Sequence, residues 1–179
     1  MDIVQEFIKA SLKERIRSDA EEQAFCKDLF IKSKAISEED LAKYNISITP
    51  ISCREYEYNI DYSEGYGSVI FDSEILFTFE DKITKARYDI TFSVRFNAKA
   101  EGRRYPGSYW DPPEDEDWLI GEIWDDGFEV EYSKIETNGP TNDELEEHLI
   151  DITYNFAESD AFFHYLTDNL EDITGWDIK

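Results

Sequence analysis

Cysteine and histidine are nearly missing from this 179-residue chain, with two of each. Cys26 and Cys53 are too few for a four-thiolate zinc site or a disulfide-built scaffold, so they read as reduced thiols of a cytoplasmic protein, one on a helix and one at the edge of a strand. No apolar run approaches the ~18 residues of a membrane-spanning helix, and Met1-Asp2-Ile3-Val4-Gln5-Glu6 lacks the basic start and apolar stretch of a secretion signal. No repeat and no low-complexity segment occurs. Asn45-Ile46-Ser47 matches the glycosylation pattern, which means nothing without secretion.

Positive charge is the most unevenly missing property. The net charge is −24 with pI ≈ 4.2. From residue 101 onward there are four Lys/Arg against 23 Asp/Glu, a balance of −19, whereas the first 100 residues hold 14 against 19, a balance of −5. A magnitude of roughly 2–8 suffices for solubility in a small domain, and charge beyond it repels itself. Direct contact with nucleic-acid phosphates is disfavoured, and a basic protein is the expected partner.

Core formers are nevertheless plentiful. Hydrophobic residues make up 41% and aromatics 15%, so the mean hydropathy of −0.59 reflects dense surface charge rather than disorder. Ile3, Val4, Phe7, Ile8, Leu12 and Ile16 at helical spacing predict an amphipathic helix over residues 2–17. Ser18-Asp19-Ala20-Glu21 reads as a capping box for a second helix through about Lys32, with Phe25, Leu29 and Phe30 inward. Ser37-Glu38-Glu39-Asp40 opens a short third helix.

From Ile46 the period falls to two, in Ile46/Ile48, Tyr56/Tyr58/Ile60/Tyr62, Val69 to Phe79, Tyr88 to Phe96, Trp118/Ile120 with Ile123, and Phe128/Val130/Tyr132. Such alternation marks antiparallel strands with one face buried. Turns are expected at Glu80-Asp81-Lys82 and at Asp125-Asp126-Gly127, and a break at Asn138-Gly139-Pro140. Helical spacing returns with Thr141 as N-cap of a helix to about Ala157 and Ser159 as cap of a last one. The expectation is a single α+β domain over 1–179, with N-terminal helices (1–44), an antiparallel meander of five or six strands (45–135) and two C-terminal helices (141–174).

The stretch Arg103-Arg104-Tyr105-Pro106-Gly107-Ser108-Tyr109-Trp110-Asp111-Pro112-Pro113-Glu114-Asp115-Glu116-Asp117-Trp118 reads as a long loop between strands, stiffened by Pro112-Pro113, with aromatics beside an acidic run. Tyr-Pro-Gly, a short spacer and Pro-Pro-Glu resemble a hairpin found in many small acidic phage and prophage proteins, several from host-interaction regions of their genomes. The likeness covers about residues 88–132. It implies a mobile-element origin and a role against host defence or in phage DNA metabolism, and it transfers no site residues. This chain departs from it by extending the loop with the Asp/Glu run.

Catalytic patterns are lacking: no Gly-x-Ser-x-Gly, no phosphate-cradling glycine loop, no His-Glu-x-x-His. Asp72, Glu80 and Lys82 could be drawn as a metal-dependent nuclease, but an acidic surface would repel its DNA. Glu144 and His148, four apart on a helix, could share a metal, though a charged helix face explains them as well. Asp111 to Asp117 lacks the calcium-loop pattern. No catalytic residue, metal or cofactor is expected.

The acidity itself is the remaining feature. Carboxylates fixed on a sheet and two helices compete for Lys/Arg-lined nucleic-acid channels. The partner-binding residues expected are Tyr109, Trp110, Asp111, Glu114, Asp115, Glu116 and Asp117 in the loop, with Glu146, Glu147 and Asp151 on a helix. The expected function is a non-catalytic, phage-type anti-defence inhibitor that binds a basic nucleic-acid-binding host protein, such as a CRISPR effector, and occludes its nucleic-acid site. The alternative is a structural or assembly protein docking through the aromatic loop 103–118.

Overall fold

The structure is a computed structural model that describes residue 3 and residues 20–179. The helix expected over residues 2–17 lies, Ile3 apart, outside the described residues, as do Ser18 and Asp19 of the expected capping box. Helix α1 covers residues 20–33 and turns Cys26, Leu29 and Phe30 inward, at the three- and four-residue spacing of one helix face. Phe25, expected inside, lies one position off that stripe and sits half exposed on its rim, tilted against Tyr165 at 6.5 Å. The short α2 (Glu38–Lys43) starts where the Ser37 hydroxyl accepts from the Asp40 amide at 3.2 Å, as its sequence predicts.

Four long strands follow: β1 (Tyr44–Asp61), β2 (Tyr66–Asp81), β3 (Arg87–Tyr105) and β4 (Glu114–Thr137). Each lies antiparallel beside its neighbour in sequence, in the order β1-β2-β3-β4. The class is α+β as expected, but the strands among the described residues number four rather than five or six. Segments expected as separate strands are continuous ones interrupted by bulges. Ile46/Ile48 and Tyr56 to Ile60 both belong to β1, whose register against β2 slips between Pro50 and Ser52 and again between Glu55 and Glu57. Asp125-Asp126-Gly127 is likewise not a hairpin turn. Gly127 has the positive φ of 80° that a tight turn needs, yet the segments on either side both pair with β3: Asn97 faces Trp124 and Arg95 faces Glu129. Pairing with one long partner satisfies more backbone groups than a short private hairpin, so the extra residues are absorbed as a bulge.

Alternation places Phe71, Ile75, Phe77 and Phe79 of β2 on one buried face with Ile90, Phe92, Val94 and Phe96 of β3. Helices preceding and following the sheet in sequence meet over it. Phe30 of α1 stacks on Phe156 at 3.9 Å and 9°, and the two rings reach Phe79 and Phe77 edge-on at 6.1 and 5.9 Å.

The C-terminal part holds three helices rather than two: α3 (Asp143–Ala157), α4 (Asp160–Asp168) and α5 (Leu170–Thr174). Asn142, not Thr141, caps α3, its side-chain oxygen accepting from the Leu145 amide at 2.8 Å. Ser159 caps α4 as expected. Asn169 splits the last expected helix because its backbone leaves the helical region while its side chain donates to the Tyr165 carbonyl at 2.8 Å. Beyond α5 the tail spans the sheet: Trp176 Nε1 donates to Glu55 of β1 at 2.9 Å, and Ile178 bridges Leu119 of β4. No helix among the described residues is long and apolar enough to cross a membrane.

Candidate functional site

Four aromatic rings, on both faces of the sheet, are each covered by a cation whose other partner is a carboxylate. The Arg95 guanidinium lies 3.9 Å from the centre of the Tyr56 ring, and its Nε donates to Asp72 at 2.7 Å. Lys99 Nζ is 4.8 Å from Trp124 and 2.6 Å from Glu122. Arg104 lies 5.1 Å from Tyr62 with Nε 2.8 Å from Asp115, and Lys179 lies 4.4 Å from Trp118 and 2.6 Å from Glu116. The ring attracts the cation by its quadrupole while the carboxylate takes the charge-assisted hydrogen bond, so each triad holds one charged head group from two sides. These triads are not legible in the sequence because each brings together segments far apart in the chain, among them the β1–β2 turn and the C-terminal tail.

The Arg95 hydrogen bond, and after it the charge of Arg95 and a 3.3 Å contact from Arg54, hold the Asp72 carboxyl below the usual range despite its partial burial. A carboxyl depressed in the folded state stabilises above the usual carboxylate range, and that contribution is lost as pH falls through the folded value. Asp72→Asn is therefore expected to lower Tm by roughly 2–4 °C at neutral pH, an effect modest because the pair is partly solvated. In melts taken through the acid range the gap to the parent should close. A gap that stays constant with pH would trace to packing rather than to charge. The same pair floors a groove of about 680 Å³ whose rim includes Ser52, Glu74, Ser93, Glu129 and Glu131.

The expected acidic run does not stand free. β3 and β4 continue past the end of β2 as a two-stranded arm, pairing Gly102 with Asp117 and Tyr105 with Glu114. The Tyr58 and Tyr62 hydroxyls both donate to Asp117, the latter at 3.1 Å. Burial, and then the bond to Asp117, push the Tyr58 phenol well above its ordinary value. Hydrogen bonds from Arg104 lower the Asp115 carboxyl, and those from Lys179 and then Tyr105 lower Glu116. Asp115, Glu116 and Asp117 thus brace the arm from both of its faces.

At the tip the Ser108 amide donates to the Asp111 carbonyl at 2.9 Å, closing a tight turn. Gly107 is required there, since a Cβ at that position would lie 2.4 Å from the Asp111 carbonyl oxygen. Tyr109 and Trp110 are 91% and 86% exposed and meet edge-to-face at 4.8 Å. Among the described residues no cation covers either ring and none pairs with Asp111 or Glu114.

Glu146, Glu147 and Asp151 lie on α3, near the other end of the sheet, where the Tyr88 hydroxyl reaches the Pro140 carbonyl at 3.3 Å. The rows of Tyr88 and Tyr105 are roughly 55 Å apart at ~3.3 Å per residue, so the two groups of expected site residues form two surfaces rather than one. Residues 135–178 contain 12 Asp/Glu and no Lys/Arg. No carboxylate of α3, α4 or α5 forms an ion pair with a described Lys or Arg.

The other candidates do not assemble. His148 Nε2 lies 2.9 Å from Asp40 of α2 rather than pairing with Glu144. Asp72 is taken by two arginines and stands eight residues along β2 from Glu80, roughly 26 Å at ~3.3 Å per residue. Burial pushes both the Cys26 and the Cys53 thiols up to about 11, away from the reactive thiolate. No protein-family model matches this chain, no curated protein matches it in sequence, and no solved structure matches its fold.

Proposed function

We propose that the protein is a non-catalytic acidic inhibitor of phage type, which binds a basic nucleic-acid-binding host protein, such as a CRISPR effector, and occludes its nucleic-acid site. One observation carries this reading: the carboxylates of α3 to α5 pair with no Lys or Arg among the described residues, and most are exposed. Such unpaired helical carboxylates present fixed anions to a channel built for phosphates.

The test is capture on the immobilised protein from a lysate of the host. A nucleic-acid-binding protein should be retained at low salt, leave as salt rises through the range where the Debye length falls from about 10 to 3 Å, and lose its nucleic acid when this protein is added. Retention indifferent to salt, or a captured protein that keeps its nucleic acid, would overturn the reading. The exposure of Tyr109 and Trp110 favours a second contact, at the arm.

A further inference from the structure

Resting on the basic-partner reading above, we propose that the tip of the β3–β4 arm takes an arginine side chain of the partner. The triads on the sheet set the pattern: an aromatic ring, a cation over it, and a carboxylate holding that cation, in Tyr56–Arg95–Asp72, Trp124–Lys99–Glu122, Tyr62–Arg104–Asp115 and Trp118–Lys179–Glu116. The tip repeats two of the three parts. Trp110 and Tyr109 offer the rings, Asp111 follows Trp110 directly, and Glu114 opens β4 opposite Tyr105. The cation is the missing member among the described residues.

Arginine fits better than lysine because its planar guanidinium stacks on a ring while its edge donates to a carboxylate, the arrangement Arg95 adopts over Tyr56 and against Asp72. The bracing of the arm by Asp115, Glu116 and Asp117 fixes the strands from which the tip projects. Asp111 and Glu114 disfavour an anionic lipid surface as the occupant.

The test uses a peptide of eight Arg-Gly repeats and its Lys-Gly counterpart at low salt, with the indole resonance of Trp110 assigned by its loss in Trp110→Phe. The Arg-Gly peptide should shift that resonance further than the Lys-Gly peptide does. Tyr109→Ala combined with Trp110→Ala should weaken Arg-Gly binding about two- to fivefold with an unchanged Tm, since both rings are exposed. A resonance that stays still, an equal shift by both peptides, or undiminished affinity of the double variant overturns the proposal. In a third variant, Glu146→Gln, Glu147→Gln and Asp151→Asn, the Trp110 shift should persist. Failure at the tip leaves the competition test of the helical face standing, and the reverse also holds.

Discussion

Phe77→Ala is expected to destabilise the fold by about 3–5 kcal/mol, a large fraction of what a domain of this size has. Phe77 is fully buried and meets Phe92, Phe156 and Phe162 at 6.0, 5.9 and 5.8 Å, so it joins the sheet to α3 and α4 at one point. Truncation removes the transfer energy of the ring and leaves a cavity that rings held from three directions cannot close. Urea unfolding should show a lower midpoint with little change in slope. Phe77→Leu, which keeps most of the volume, should lose much less. Equal losses from the two substitutions would mean that the helices shift to fill the space.

Neutralising the helical face is expected to act in opposite directions on binding and on folding. Glu147→Gln, Asp151→Asn, Asp160→Asn and Asp168→Asn remove four exposed carboxylates that pair with no described Lys or Arg. At about 0.5 kcal/mol each they account for roughly 2 kcal/mol of attraction to a basic partner, about thirtyfold in Kd. The salt dependence should flatten, and competition with nucleic acid should fade. Tm should hold or rise slightly, since relief of like-charge repulsion at Glu147, Asp151 and Asp168 offsets the loss of Asp160 from the first turn of α4. Asp115, Glu116 and Asp117 are left intact, because replacing them would loosen the arm and confound contact with bracing. A variant that competes as well as the parent at every salt concentration removes the helical face from the function.

Local features of the fold were legible in the sequence. Ser37 and Ser159 cap the helices their neighbours imply, Asn138-Gly139-Pro140 ends the sheet, and the period-two runs are strands. Continuity between runs was not legible, because a bulge and a turn use the same residues. Only the length of β3 as a shared partner decides that Asp125-Asp126-Gly127 is a bulge. Tyr109 and Trp110, expected among the partner-binding residues, are exposed, whereas Trp118 at the end of the same stretch is buried. Asp115, Glu116 and Asp117 looked like free charge, yet their partners Arg104, Lys179, Tyr58 and Tyr62 come mostly from distant segments that the sheet register and the tail bring together.

The stack of Phe30 on Phe156 joins helices on either side of the sheet in sequence. Each strand closes on its neighbour through a short connection, at small entropic cost, so the meander zips in local steps. Joining α1 to α3 closes a far longer loop, one that contains the whole sheet. A meander zipped ahead of its cover turns Phe71, Ile75, Phe77 and Phe79 to water, a sticky surface of the kind that aggregates during folding. The helices and the tail, through Phe156, Phe162 and Trp176, are what shield that face from neighbouring chains.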